Sequence, residues 1–428
     1  MKGYIRRTVD DELDELLPGL PAIAIEGPKG VGKTATALRR ATTVHRLDDP
    51  RERAVLAADP GRIVGGAAPV LIDEWQRLPY SWDLVRRAVD EGPGDGPSGG
   101  RFLLTGSAAP LEQPTHSGAG RIVTLRMRPL SLAERGLTPP TVSLRELLGG
   151  TRPAISGSSP LVLADYTEEI VASGFPDVRG STGRVRRARL DGYVDRIVER
   201  DFADQGRPLR DPPGLTRWMT AYAAATATTT SFEAIRHAAS GGEAPASARS
   251  TTVDYRQVLQ RLWILDPVEA WRPTRNHLAR AAGPPKHHLC DPALAARLLG
   301  ADVDSLLEAR PLGPPVLRDG PLLGKLFESL VTLGVRVQAQ AAEAAVRHLR
   351  TKGGEREIDL VLERADQRVV AVEVKLGAIV DDRDVRHLRW LATVLGPDLL
   401  DAVVVTTGHE AYRRPDGIAV VPAALLGP

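Results

Sequence analysis

Two lysines and five carboxylates occupy positions suited to phosphate chemistry. Gly27-Pro28-Lys29-Gly30-Val31-Gly32-Lys33-Thr34 meets the pattern G-x-x-x-x-G-K-[ST] at every required position. Glycines there let backbone N–H groups turn inward around phosphate oxygens. The lysine reaches the β- and γ-phosphates, and the threonine hydroxyl ligates Mg²⁺. Downstream, Pro69-Val70-Leu71-Ile72-Asp73-Glu74 is an apolar run ending in two acids. Asp73 is placed to hold the Mg²⁺ shell and Glu74 to polarise the attacking water. Far along the chain, Asp359 precedes Glu373-x-Lys375, the D…(D/E)-x-K pattern of metal-dependent phosphodiester cleavage. In that chemistry two carboxylates hold a divalent metal and the lysine orients or deprotonates water. Glu328 is the candidate third acid.

Each constellation needs elements to hold it. Ala22–Glu26 reads as a short buried strand feeding the glycine loop, and Thr34 onward (ATALRRATTV) as a helix. Thr8 with Asp11 reads as an N-cap and its N3 partner, opening a helix that Pro18-Gly19 stops. Arg101–Thr105 is a further strand running into Gly106-Ser107, which makes Ser107 a candidate γ-phosphate sensor. In the second half, Glu357–Leu362 and Val369–Lys375 are apolar strands around a turn at Ala365-Asp366-Gln367. The period of two puts Glu373 and Lys375 on one face. With helices at Leu322–Leu333 and Asp384–Leu395 and a strand at Asp401–Thr406, the order is α-β-β-β-α-β. That is the order of the PD-(D/E)XK nuclease fold. Arg347, His348, Arg350, Lys352 and Arg356 lie nearby and would suit phosphates. A surface hairpin with a Glu373–Lys375 salt bridge, or a site that only holds nucleic acid, are the other readings of the same residues.

Several segments resemble a bacterial AAA+-type ATPase family with a C-terminal domain of unknown function. They are Tyr4-Ile5-Arg6-Arg7, the glycine loop, IDEWQRLP, LTGS, GRIVTLRMRPLSLAE and SGFPDV. The resemblance spans nearly the whole chain and implies ATP and Mg²⁺ as cofactors. It also implies that an arginine after LTGS acts near the γ-phosphate, often from a neighbouring subunit. The matching position is Arg121, followed by Pro129-Leu130-Ser131 and Glu134. The Pro/Gly-rich stretch Glu91–Gly100 reads as a flexible insert that leaves the motifs intact.

Between the two motif regions, Leu137–Pro160 reads as linker around one short helix. Arg184–Asp201 has helical apolar spacing (Val185, Leu190, Tyr193, Val194, Ile197, Val198) opposite a face rich in arginine. Leu215–Ala225, Ser231–Ala239 and Ser250–Leu262 read as three helices before a strand pair, the pattern of a winged helix. Thr251, Thr252, Tyr255, Arg256, Gln257 and Arg261, with Trp271–His277, are the residues there able to touch nucleic acid. His287-His288 lacks metal-ligand spacing and reads as loop before Leu289-Cys290.

Composition bounds these readings. With 428 residues the chain has room for two or three domains, and 42% hydrophobic with 26% charged residues is ordinary for a globular protein. Only seven of the 56 lysines and arginines are lysines, yet Lys33 and Lys375 are lysines where the motifs ask for them. A net charge of +2 leaves no global field for nucleic acid, so any such site is a local patch. The single cysteine, Cys290, excludes an intrachain disulfide and reads as a buried small side chain. No signal-like segment and no run of about 18 apolar residues occurs, which points to a cytoplasmic protein without a membrane partner.

The sequence thus predicts an α/β P-loop ATPase domain (1–150), a helical, winged-helix-like middle (151–310) and an α/β PD-(D/E)XK-like domain (311–428). The function expected is ATP binding and hydrolysis whose nucleotide state controls an action on DNA or RNA through the nuclease-like domain. The alternative is an ATP-dependent switch whose C-terminal domain is a catalytically silent protein-interaction module. A homo-oligomer or a protein partner fits either one.

Overall fold

The structure, a computed structural model, describes residues 3–92, 96, 98–108, 118–241, 248–274, 283–307 and 322–428. Part of the insert expected at Glu91–Gly100 therefore lies outside the described residues, as do Arg275, Asn276 and His277 and the side chain of Lys352. The chain divides into two compact units. The first comprises Met1–Arg128, Glu199–Leu209 and Gln257–Ile264; the second comprises Pro129–Val198, Arg210–Arg256 and Leu265–Pro428. The motif-based division at residue 150 differs from this one for a packing reason. Val142-Ser143, just inside that boundary, pairs with Leu426-Gly427, and Ser158 bridges Glu410. The Pro/Gly/Ser segment read as linker is thus stitched onto the end of the second unit.

The first unit is built on five strands, β1 (Ala22–Glu26), β2 (Thr43–Arg46), β3 (Val70–Asp73), β4 (Phe102–Gly106) and β5 (Ile122–Arg126). They lie in the order β2-β3-β4-β1-β5 with every pairing parallel. Strands buried on both faces need continuous apolar runs, and AIAI, VLI and FLL supply them. Trp75 and Trp82 pack in a tilted pair, 4.6 Å between ring centroids, inside the cluster that covers Ile72 and Leu104. In such sheets ligands bind beyond the carboxyl ends of the strands. The glycine loop after β1, Asp73 at the end of β3 and Ser107 after β4 all open at that edge.

Two local expectations change. The first helix starts at Thr8 with Arg7 as its cap residue, and Asp10, not Asp11, is the N3 acid, accepting the Arg7 N–H at 2.8 Å. The helix after the glycine loop stops early, at Lys33–Leu38. Thr43-Val44 becomes β2 instead, because β-branched side chains fit a pleated edge beside β3 better than a helix.

In the second unit a mixed seven-stranded sheet carries the D…(D/E)-x-K hairpin. Its strands are β7 (Glu269–Ala270), β8 (Ala345–Arg350), β9 (Glu357–Glu363), β10 (Val369–Val374), β11 (Leu399–Thr406), β12 (Tyr412–Arg413) and β13 (Ala419–Pro422). Their order is β12-β13-β11-β10-β9-β8-β7. The helix carrying Glu328 runs Leu322–Ala341, about two turns beyond the expected end. The helix Arg386–Leu395 buries Leu388 and Leu391 on the core of the sheet. Among the described residues no helix is long and apolar enough to cross a membrane.

Candidate functional site

The glycine loop is shaped by contacts that only glycine permits. A Cβ on Gly27 would sit 2.0 Å from the Met127 carbonyl oxygen, and Gly32 enters the helix with φ of 107°. Lys33 is buried and donates to the carbonyls of Gly27 at 2.8 Å and Pro28 at 2.9 Å. Burial pushes its ammonium down to about 8, against the pull of Glu74 and Asp73. Thr34 donates its hydroxyl to Asp73 Oδ1 at 2.8 Å, so the two expected Mg²⁺ contacts already face each other. That donor set, one hydroxyl and one carboxylate beside an ammonium, fits a magnesium ion that arrives with phosphate.

Glu74 stands at the end of β3 in the left-handed region, φ 57°. Its Oε2 accepts from Ser107 Oγ at 2.9 Å and Gln76 Nε2 at 2.5 Å, and its N–H donates to Thr105 Oγ1 at 3.2 Å. Thr105 in turn donates to Asp73. Ser107 therefore meets Glu74 in the structure. Sequence reasoning missed Gln76 and Thr105; the only signals were a polar side chain two residues past Glu74 and one inside the otherwise apolar β4. It also missed Asp201, a buried acid that binds Lys29 of the glycine loop at 2.5 Å. Asp201 closes a π-helical turn, Ile197–Asp201, a geometry frequent at functional sites.

Arg121 is at the other end of the sheet. It precedes β5, which runs parallel to β1 with Ile122 beside Ala22 and Arg126 beside Glu26. Five residues of strand, about 16 Å, separate it from the glycine loop of its own chain. Its guanidinium is half exposed and pairs with Asp90 at 2.8 Å.

The second unit gathers the other constellation. The β9–β10 register pairs Leu360 with Val372, so its next step sets Asp359 opposite Glu373. Both are buried, and Glu328 approaches from its helix. Lys375 donates to Glu373 Oε1 at 2.7 Å. The fifth member was not foreseen. Lys286, fully buried, places its ammonium 2.8 Å from Glu328, 3.0 Å from Asp359 and 3.3 Å from Glu357. Burial alone would push that ammonium down, but Glu328, Asp359 and Glu357 outweigh it and hold it above the usual lysine range. Burial would also raise Asp359. Lys286, Lys375 and the Val374 N–H at 2.9 Å hold it low instead. Burial and the Asp359 charge push Glu373 up to about 8.

The sequence expects Glu328, Asp359 and Glu373 to hold a divalent metal. Two of the three are already bridged by an ammonium at hydrogen-bond length. Among the described residues no group of three or more His, Cys, Asp or Glu is arranged for a metal.

Other nucleic-acid candidates also turn inward. Tyr255 and Thr252 are buried, with Tyr255 edge-on to Trp218, and Arg256 lies over the Phe232 ring at 4.5 Å. The three middle helices form, at Pro212–Ala224, Phe232–Ala239 and Arg249–Arg261. Beyond them are the isolated bridges Leu265–Leu289 and Val268–Lys286 and the two residues of β7. His348 is buried with Nε2 on the Pro284 carbonyl at 3.1 Å, and burial pushes it down to about 4. Arg347 and Arg350 pair with Glu363 and Glu357. On the arginine-rich helix, Gly183–Arg196, Leu190 and Val194 are buried but Val185 is exposed.

Three segments of the chain match known families. Residues 20–135 match the family described as "AAA domain". Residues 163–305 and 323–426 match two domains of unknown function, DUF8612 and DUF4143. No curated protein matches. Among solved structures the chain is similar to the Aeropyrum pernix ORC2 protein, in ADPNP–ADP complexes. The identity is 14%, over 72% of this chain and 97% of that one, with a TM-score of 0.28. A score that low carries no argument about fold or activity. The AAA match and the parallel sheet support a P-loop ATPase-like α/β fold for residues 20–135.

Proposed function

We propose that the chain is an ATP-driven switch. Gly27–Thr34 would bind Mg²⁺–ATP, Glu74 would act as the base for hydrolysis, and the second unit would serve as a silent output module. The observation that carries the ATPase reading is the line of contacts Thr34–Asp73–Thr105–Glu74–Ser107, which joins the phosphate loop to the base. Lys33 would leave the Gly27 and Pro28 carbonyls for phosphate oxygens, and Thr34 and Asp73 would hold the magnesium ion. Mg²⁺ supplies charge neutralisation on the phosphates. Glu74 would accept a proton from water once Ser107 and Gln76 release it.

The C-terminal module is read as PD-(D/E)XK-like. Its support is the order helix Leu322–Ala341, β8, β9, β10, helix Arg386–Leu395, β11, together with the facing Asp359 and Glu373. The Lys286 ammonium favours a module that binds a protein partner over one that cuts nucleic acid. Gel-shift assays with DNA and RNA, with and without ATP, test this. Nucleotide-dependent shifts would favour the nucleic-acid reading, whereas no shift across single- and double-stranded probes supports the protein-partner one.

ATP binding should be linked to proton uptake. The Lys33 ammonium, held near 8 by burial, gains phosphate partners that raise it. Well below pH 8 the lysine is already protonated and nothing is taken up. About one unit above that value, binding should take up close to one proton. Calorimetry in buffers of different ionisation heat reads this directly; zero uptake at pH 9 would remove Lys33 from phosphate contact.

Arg121, on the far edge of its own sheet, would reach a nucleotide only on a neighbouring chain. Hydrolysis per chain should then rise with protein concentration, and Arg121→Ala should lower turnover with ATP affinity unchanged. A rate per chain that stays flat while light scattering shows association counts against a shared site.

A further inference from the structure

The acid cluster of the second unit is built like a cation cradle and already contains a cation. Glu328, Asp359 and Glu357 all place an oxygen within 3.3 Å of one atom, the Lys286 nitrogen. Glu373, facing Asp359 across the hairpin, keeps Oε2 buried with no hydrogen-bond partner among the described residues. A divalent ion would draw carboxylate oxygens to about 2.0–2.6 Å. The observed 2.8 Å to Glu328 and 3.0 Å to Asp359 are N–H···O hydrogen-bond lengths, with Glu357 at 3.3 Å as an ion-pair contact. The lysine is fixed by its backbone as well as its head, because Lys286 and Val268 exchange both N–H···O bonds, at 2.8 and 2.9 Å.

We propose that the Lys286 ammonium is the resident cation of this cluster, standing where a divalent ion would bridge Glu328 and Asp359. Native protein therefore takes no Mg²⁺ or Mn²⁺ there and performs no metal-dependent phosphodiester cleavage. Removing the ammonium turns the same carboxylates, with Glu373 Oε2 as the spare donor, into a divalent-cation site. The chain has few lysines, and this one is suited to the task. A compact ammonium donates in three directions, whereas a planar guanidinium would not converge three carboxylates on one point. The inference goes beyond ATP hydrolysis and stands whether or not the first unit hydrolyses ATP.

The test is Mn²⁺ binding to the full, nucleotide-free chain, followed by the paramagnetic resonance of free Mn²⁺. Lys286→Met should gain one Mn²⁺ site per chain relative to wild type, at least tenfold tighter than any residual binding. Adding Asp359→Asn should abolish the gain. The difference between variants removes any contribution of Asp73 at the glycine loop. Should Lys286→Met fail to fold, Lys286→Gln combined with Glu328→Gln, which removes one charge of each sign, is read in the same way. A wild-type Mn²⁺ site lost in Asp359→Asn overturns the proposal. So does Mn²⁺-dependent cleavage of DNA or RNA by wild type that the same variant loses, and so does a folded Lys286 variant with no added site.

Discussion

Lys33→Ala is expected to weaken ATP binding by more than a hundredfold while leaving the fold at least as stable. The two halves of that expectation have one cause. In the protein without nucleotide the Lys33 ammonium is buried and donates to two backbone carbonyls. Burial disfavours its charge, so the lysine costs stability in the resting state and returns it when phosphate arrives. Removing it relieves the first term and forfeits the second. A hundredfold in affinity is about 2.8 kcal/mol, the scale of one or two charge-assisted hydrogen bonds. Calorimetry against ATP with a parallel melting curve separates the outcomes. Retained affinity would show that the loop does not use Lys33. Lost affinity together with a lowered melting point would point to misfolding. Glu74→Gln should behave differently: the amide can still accept from Ser107, so binding persists. Hydrolysis slows by about 10²–10⁴, the usual effect of losing a general base. Equal turnover in that variant would move the base elsewhere.

What could be read from the sequence was what local spacing encodes. Strands β1, β3 and β4 announce themselves as apolar runs, and the hairpin around Asp366 places Asp359 and Glu373 by period and register alone. What could not be read depends on partners far away in the chain. Asp201 lies 172 residues from Lys29, and Lys286 lies 73 from Asp359. No periodicity reports such contacts. Tyr255 and His348 were misread for the same reason, since a polar side chain on a helix or strand does not say which neighbour covers it. One signal was present and unused. In a chain with seven lysines, Lys29, Lys33, Lys286 and Lys375 all lie at the two constellations. Where arginine is the default cation, a lysine marks a place that needs a small, rotatable charge.

Asp359→Ala is the variant expected to cost the most stability. Its carboxylate is buried with one oxygen on the Lys286 ammonium at 3.0 Å and the other on the Val374 N–H at 2.9 Å. Truncation leaves a buried ammonium short of a partner and a backbone donor with none. Breaking a buried pair from one side costs about 3–5 kcal/mol, so hydrogen-exchange protection of Glu357–Glu363 and Val369–Val374 should fall by at least a hundredfold at neutral pH. The acid dependence fixes the cause. Asp359 is held below its unfolded value, so its contribution is fully present above about pH 4 and fades as pH falls through the lower folded value. The gap between wild type and variant should therefore narrow as pH falls below about 4. A loss below about 1 kcal/mol at pH 7, the scale of an exposed pair, would mean that solvent reaches the cluster and that Lys286 is not its fixed counter-charge. A full loss that does not shrink in acid would assign the effect to the cavity left by the side chain and not to its charge.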